Sequence, residues 1–530
     1  MTLAKAAVVL ALLAIFFHIV LLKSPLVTLS PDSIRFMHFW QVNVDHFRED
    51  GGGAKSAVKA VFYSLRSSNN YDMSRGRVIQ AALYGLDGLT RWMLPSPMFN
   101  VWMMALMTLN GALMAWLATR VVPDFRTRTT LFALAWLAVC TTALVMSPVM
   151  LLVLYAKYVW VAFVLCHFIA RSKVMKFFWL APAAFSDELG LFAAMLLTFL
   201  HVAHINLASP DLVSGPYSTH VRILKALLLG TAAAFTVMFS CFGISAVFFG
   251  GAAPEFLALA ASASGGSEFL KPAAIWHLVN GLFWRAEIMI LGSSLGHPAV
   301  TTLVGLAVLA VITVGIWKTC RLHVRTAALA DDSPDTRILA WLGDERARFY
   351  AFWTIMLVVV AFVVVRVGAG DFTHYGYPAA AVLAVLFIRA LLDVFSARAA
   401  GIVLLAMLAT HLALLPQAIS TTQIALEKYL FPDGTVSRQD IAAVQQSVME
   451  FRASGASPVF EAATNGQEMD FTGTWFYSRV RSAESLTEPH FPFQGTVRVL
   501  LWPDRIHSSR YNADRIFDYK RPRFQDGGSP

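Results

Sequence analysis

Asp187 and Glu188 stand side by side in AAFSDELGLF (183–192), inside a stretch that is otherwise apolar. A carboxylate beside a bilayer can take a proton from an incoming hydroxyl if it is held within hydrogen-bond reach. Three further stretches carry complementary chemistry. SPDSIRF offers Asp32 and Arg35, NNYDMSRGRVIQ offers Asp72, Arg75 and Arg77, and GDFTHYGYP offers His374 and Tyr375 ahead of Pro378. Arg and His can bind a leaving phosphate whose charge grows in the transition state. An acid, a base and a phosphate clamp at one membrane surface suit the removal of a group from a lipid phosphate.

The elements that must position these residues are membrane helices. The chain has 530 residues, 57% hydrophobic and 14% charged, with a mean hydropathy of +0.60. Many apolar runs reach spanning length, which excludes a soluble globular class. The runs lie at about 5–22, 97–119, 129–147, 149–170, 177–203, 224–250, 272–292, 297–317, 350–367, 376–395 and 399–417. The first reads as a retained span: from Ala6 to Leu22 it is long for a signal peptide, and no Ala-x-Ala-like site follows. Cys140, Cys166 and Cys241 fall in apolar runs and Cys320 just beyond one, so no disulfide framework is indicated.

Basic clusters at Arg120/Arg126/Arg128, Arg171/Lys173/Lys176 and Lys318/Arg321/Arg325 are expected to be cytoplasmic, with the N-terminus. Residues 23–96, 368–375 and everything from 418 then lie outside. Within 177–203 a continuous span would strand Asp187 and Glu188 at mid-membrane, costing about 2.5–3.5 kcal/mol for such a charge. The preferred reading breaks the helix there, with 177–186 ascending and 189–204 descending, so that the carboxylates face water outside. It makes 251–296 an outside loop carrying an interfacial helix, WHLVNGLFWRAEIM, with Arg285 and Glu287 on it.

Two soluble pieces remain. Residues 23–96 contain a flexible EDGGGAKS stretch and then VIQAALYGLDGLTRWML, which has helical periodicity. The tail, 418–530, predicts a helix near 437–453 and strands in TWFYSRV and GTVRVLLW, which makes a small α/β domain. It holds 12 Lys/Arg against 13 Asp/Glu, so the basic excess behind the net charge of +9 belongs to the membrane part. That excess fits anionic headgroups or a phosphate-bearing substrate, and no basic helix for nucleic acid is present.

Each feature also has an ordinary reading. Asp32 can cap a helix, Arg75 and Arg77 can anchor at headgroups, and the acidic pair can bond a membrane cation such as Lys157. His374 and Tyr375 can belong to an interfacial belt, and Asp45 and Asp50 can be solvated loop charges. No Walker loop, HExxH, CxxC or GxSxG motif occurs. His201 and His204 have metal-like spacing without a third ligand nearby in sequence.

The order of these pieces resembles the GT-C superfamily of integral-membrane glycosyltransferases, in particular bacterial O-antigen glucosyltransferase-like members. The resemblance runs over roughly 1–417: an early Asp in the first outside loop, a Tyr-x-x-x-x-Gly-Arg element (Tyr71 to Gly76-Arg77), an acidic pair, and a late aromatic turn ending in Pro. It implies an all-α polytopic module of about eleven membrane elements (1–417, including the 23–96 loop) and a C-terminal periplasmic α/β domain (418–530). It also implies sugar transfer, with inversion, from a polyprenyl-phosphate donor to a glycan or lipid acceptor at the periplasmic face of a bacterial inner membrane. Asp32 takes the place of the catalytic base, with Asp45 in reserve. Arg75, Arg77, His374 and Tyr375 take that of the phosphate clamp, and Asp187 and Glu188 that of the second acidic motif, which in some relatives binds a divalent cation. The sequence departs from the family pattern in having Ser33 after Asp32 and His374 before Tyr375. Two readings from other classes stay open: a transporter or flippase for a lipid-linked or anionic solute, and a non-catalytic subunit of a polysaccharide assembly complex.

Overall fold

In lipid a backbone can satisfy its own N–H and C=O groups only within a helix or a closed barrel, so apolar runs of this length become helices. The computed structural model describes residues 51–59, 78–79, 82–83, 86, 101–146, 158–208, 218–249, 272–328, 344–367 and 376–418, together with four short strands in the tail. The helices are α1 (Val101–Thr119), α2 (Phe125–Met146), α3 (Val159–Ile169), α4 (Lys173–Ala184), α5 (Glu188–Ala208), α6 (Ser218–Phe249), α7 (Pro272–Leu291), α8 (Pro298–Ala328), α9 (Glu345–Val367), α10 (Gly376–Val394) and α11 (Ala397–Ala413). Among the described residues up to 418 there is no strand.

α10 is the axis of the bundle. Every residue from Ala379 to Leu391 is buried, as expected of a helix that is apolar on all sides. It packs on α1, α2, α7, α8 and α9. Its one charged turn is paired internally: Arg389 Nε and the Tyr350 hydroxyl of α9 each donate to Asp393 Oδ2 at 2.8 Å. Among the described residues three helices are long and apolar enough to cross a membrane, within Glu188–Asn206, Ile223–Ile244 and Pro298–Arg321, which marks a helical membrane protein. The eleven membrane elements expected from sequence are not reached by that measure among the described residues. The outer helices α6 and α8 leave Leu228, Phe239 and Leu303 more than 60% exposed, an apolar surface of the kind lipid covers.

The three basic clusters come together at one end of the bundle. Arg120, at the end of α1, donates to Glu345 at 2.7 Å and to the Phe168 carbonyl at 3.0 Å. His167 Nδ1 lies 2.8 Å from the Lys176 carbonyl, and Lys318 Nζ donates to the Val394 carbonyl at 2.8 Å. The start of α9 is the common point, since it carries Glu345 and Tyr350. Burial alone would push the Glu345 carboxyl up, but the hydrogen bond and charge of Arg120, with Lys176 and Arg348 beyond, leave it below its ordinary value.

The helix expected to be interfacial is instead part of the packed bundle. α7 contacts α2, α8, α9, α10 and α11, and Arg285 and Glu287 are 2% and 0% exposed. Glu287 is buried because the following turn supplies its donors: Leu295 N–H at 2.9 Å, Thr301 Oγ1 at 2.7 Å and Ser294 Oγ at 3.3 Å. That turn reverses the chain through Gly292 and Gly296, both at positive φ. The end of α11 docks on it, with His411 Nε2 3.0 Å from the Met289 carbonyl and Gln417 Nε2 donating to the Ser294 carbonyl. Replacing the carboxyl by an amide, Glu287→Gln, keeps an acceptor for Leu295 N–H but takes away the charged acceptor of the Thr301 and Ser294 hydroxyls, which must turn their protons elsewhere. It should cost about 1–2 kcal/mol of stability, read as a lower melting temperature in detergent with secondary structure retained.

The first loop is described in pieces. Of EDGGGAKS, expected to be flexible, residues 51–56 are described: Gly51 and Gly52 take positive φ in a turn, followed by a helical turn at 54–59 that buries Ser56. In the tail, β1 (Val459–Ala463), β2 (Arg498–Trp502), β3 (Arg515–Asp518) and β4 (Arg523–Asp526) form a sheet in the order β2-β1-β3-β4. β1 runs parallel to β2 and β3, and β4 antiparallel to β3. β2 lies in the expected strand GTVRVLLW, whereas the expected helix over 437–453 and the strand TWFYSRV lie outside the described residues.

Candidate functional site

The site is built around the break between α4 and α5, and each residue of PAAFSDELG has a local reason to be there. Pro182 lacks the N–H that would continue the helical ladder. Ser186 then folds its hydroxyl back onto the Pro182 carbonyl at 2.6 Å, and its own N–H reaches the Ala183 carbonyl at 3.2 Å. The next residue starts the returning helix. Asp187 Oδ1 accepts from Leu189 N–H at 3.0 Å, and the Asp187 carbonyl accepts from Leu191 N–H at 2.9 Å, which makes Asp187 the N-cap of α5. Glu188 occupies the first turn, where a negative charge complements the helix dipole. Gly190 lets the two helices close, because a Cβ there would lie 2.1 Å from the Ala183 carbonyl and 2.7 Å from Trp160 Cβ.

The break expected from sequence is therefore present, but its environment differs. Asp187 is 7% exposed and Ser186 0%, so the aspartate does not face open water as expected; Glu188 is half-buried. The reason is packing: α3 meets the tip of the hairpin where Trp160 abuts Gly190, and the first loop meets it where Ile79 N–H reaches the Phe185 carbonyl. The cap role, which sequence reasoning missed, was readable in Ser-Asp-Glu ahead of an apolar run. It leads to a prediction: Asp187→Asn keeps an oxygen for Leu189 N–H and should melt within a few tenths of a kcal/mol of wild type, whereas Asp187→Ala should lose about 1 kcal/mol.

A backbone hydrogen bond joins this break to the first loop. Ile79 N–H donates to the Phe185 carbonyl at 3.0 Å, and Ile79 and Leu83 pack against the core. Ile79 stands two residues after Arg77 in the chain, at the start of the helix expected from VIQAALYGL; residues 78–79, 82–83 and 86 are helical.

Of the candidate site residues taken from the sequence, the structure describes Asp187 and Glu188. Asp32, Asp45, Arg75, Arg77, His374 and Tyr375, as well as Lys157, lie outside the described residues. The late turn is framed by its helices, α9 ending at Val367 and α10 beginning at Gly376, with Pro378 in its first turn. Among the described residues no three His, Cys, Asp or Glu side chains gather as a metal site requires, and the two adjacent acids are by themselves too few ligands for a divalent cation. His201, half of the metal-like pair, packs edge-on against Phe177, with ring centroids 4.9 Å apart.

The chain matches no family model, no curated protein and no solved structure.

Proposed function

We propose that this protein is a GT-C-like inverting glycosyltransferase that moves a sugar from a polyprenyl phosphate to a glycan or lipid acceptor at the periplasmic face of a bacterial inner membrane. The observation that carries the reading is the Ile79–Phe185 hydrogen bond. It ties the first loop, two residues beyond Arg77, to the break that holds the acidic pair, as a shared cavity requires. In this scheme Asp32, or Asp45, removes the proton from an acceptor hydroxyl. The hydroxyl oxygen forms a bond to the anomeric carbon while the bond from that carbon to the phosphate oxygen breaks. Polyprenyl phosphate leaves into the clamp of Arg77, Arg75 and His374, with Tyr375 beside it. Glu188 and Asp187 orient the acceptor, Asp187 from the rotamer that its cap imposes. The tail from 418 forms the periplasmic α/β domain.

One observation favours a second reading, a transporter for a lipid-linked or anionic solute: α4, only 12 residues long, meets α5 at a break that buries a carboxylate, and transporters also use broken helices at their binding sites. Transfer of radiolabelled sugar from synthetic polyprenyl-phosphate donors by purified full-length protein decides between the two. Turnover is expected with at least one donor. Absence of turnover with every sugar tried, together with solute uptake into proteoliposomes, would replace the enzyme by the transporter.

A further inference from the structure

At the basic end of the bundle, α3, α4, α5 and α9 leave a shallow, open cleft between them, lined by His167, Lys176, His201, Arg348 and Glu345 among apolar side chains. Four of these five carry nitrogen groups, and Glu345 is the single carboxylate, already engaged by Arg120. Arg348 contributes a guanidinium to the wall, whose planar fork matches the oxygens of a phosphate. The cleft opens beside an unusual surface. The first turns of α4 expose Val174 by 78%, Phe178 by 58%, Met175 by 42% and Phe177 by 41%, and Phe177 touches His201 in the cleft wall. Two cations, Lys176 and Arg348, in a cleft with an apolar strip at its edge describe the receptor for an amphiphile that bears a phosphate.

We propose that this cleft holds the phosphate of an anionic phospholipid, with the acyl chains lying along the apolar side of α4. Lys176 and Arg348 supply the charge and Glu345 limits the affinity. The site stands at the opposite end of α4 from the acidic break and does not depend on the glycosyltransferase reading. It uses the end that the positive residues assign to the cytoplasm, where anionic headgroups and basic pockets between helices meet.

The test titrates delipidated full-length protein in detergent with short-chain phosphatidic acid, with phosphatidylcholine of the same chains, and with inorganic phosphate. Phosphatidic acid is expected to bind most tightly. Lys176→Gln and Arg348→Gln should each weaken it about fivefold, the value of one cation near a headgroup. Glu345→Gln should tighten it by a similar factor, a gain that a misfolded protein cannot produce. Equal affinity for phosphatidic acid and phosphatidylcholine would overturn the proposal. So would inorganic phosphate binding as tightly as the lipid, or a Glu345→Gln protein of unchanged melting temperature that binds no more tightly.

Discussion

The double variant Asp187→Asn/Glu188→Gln is expected to melt close to wild type and, under the proposed function, to lose sugar transfer by about 10²-fold, the scale of misplacing a reacting group. The two halves of that expectation have different causes. An asparagine side chain at the cap position still accepts the Leu189 N–H that Asp187 Oδ1 accepts at 3.0 Å, so α5 keeps its cap and the break keeps its shape. What disappears is charge at the tip of a hairpin in contact with the first loop. Asp32→Asn removes the proposed base itself and should cost about 10²–10⁴-fold. The pattern across the variants discriminates. An enzyme of the proposed kind loses turnover in both, a transporter needs the pair but not Asp32, and full turnover in the double variant leaves the pair a structural role. Activity that survives in Asp32→Asn and falls in Asp45→Asn keeps the enzyme and moves the base.

Gly190→Ala should be the most damaging of the glycine-to-alanine changes in the described helices. The added Cβ would stand 2.1 Å from the Ala183 carbonyl oxygen and 2.7 Å from Trp160 Cβ. The first is backbone and the second is the root of a side chain that is itself 0% exposed, so neither can swing aside. α5 must move away from α4 and α3. The expected cost is about 3 kcal/mol, the upper end for overpacking, with loss of whatever the acidic pair does. A graded series gives the control. At Gly111 the nearest atom is Cys140 Sγ at 2.9 Å, a side chain that can rotate, and at Gly243 no atom lies within 4 Å. Gly111→Ala should cost less than Gly190→Ala. Gly243→Ala, inside α6, should be neutral or stabilising by up to about 1 kcal/mol, as alanine is the better helix former. Thermal unfolding of the three proteins in one detergent measures the order; a Gly190→Ala protein as stable as the Gly243→Ala one would mean that α4 and α5 do not pack as closely as the Ala183 contact requires.

The sequence by itself determined the features whose causes are local. Helix extents follow from runs of apolar residues, because a helix satisfies each peptide group within four residues, and the expected runs at 97–119, 272–292 and 376–395 sit over α1, α7 and α10. The break was legible from the cost of stranding Asp187 and Glu188 in a continuous span; the devices that make it, Pro182, the Ser186-Asp187 cap and Gly190, lie within nine residues of one another. The candidate base and clamp, Asp32, Asp45, Arg75, Arg77, His374 and Tyr375, rest on the order of motifs along the chain and lie outside the described residues. Tertiary structure alone decided which charges are buried and which meet. Arg285 and Glu287 look interfacial in a string, since nothing in WHLVNGLFWRAEIM announces that a turn beyond it will bring Leu295 N–H, Ser294 and Thr301 onto Glu287. Asp187 is hidden at a break on which the distant first loop closes through Ile79. Arg120 finds Glu345 across 225 residues, and that closure sets the wall of the basic cleft. Periodicity records how a segment divides its own surface between lipid and protein. It holds no record of which distant segment supplies the partner, and in a low-dielectric bundle the partner decides whether a charge can be buried at all.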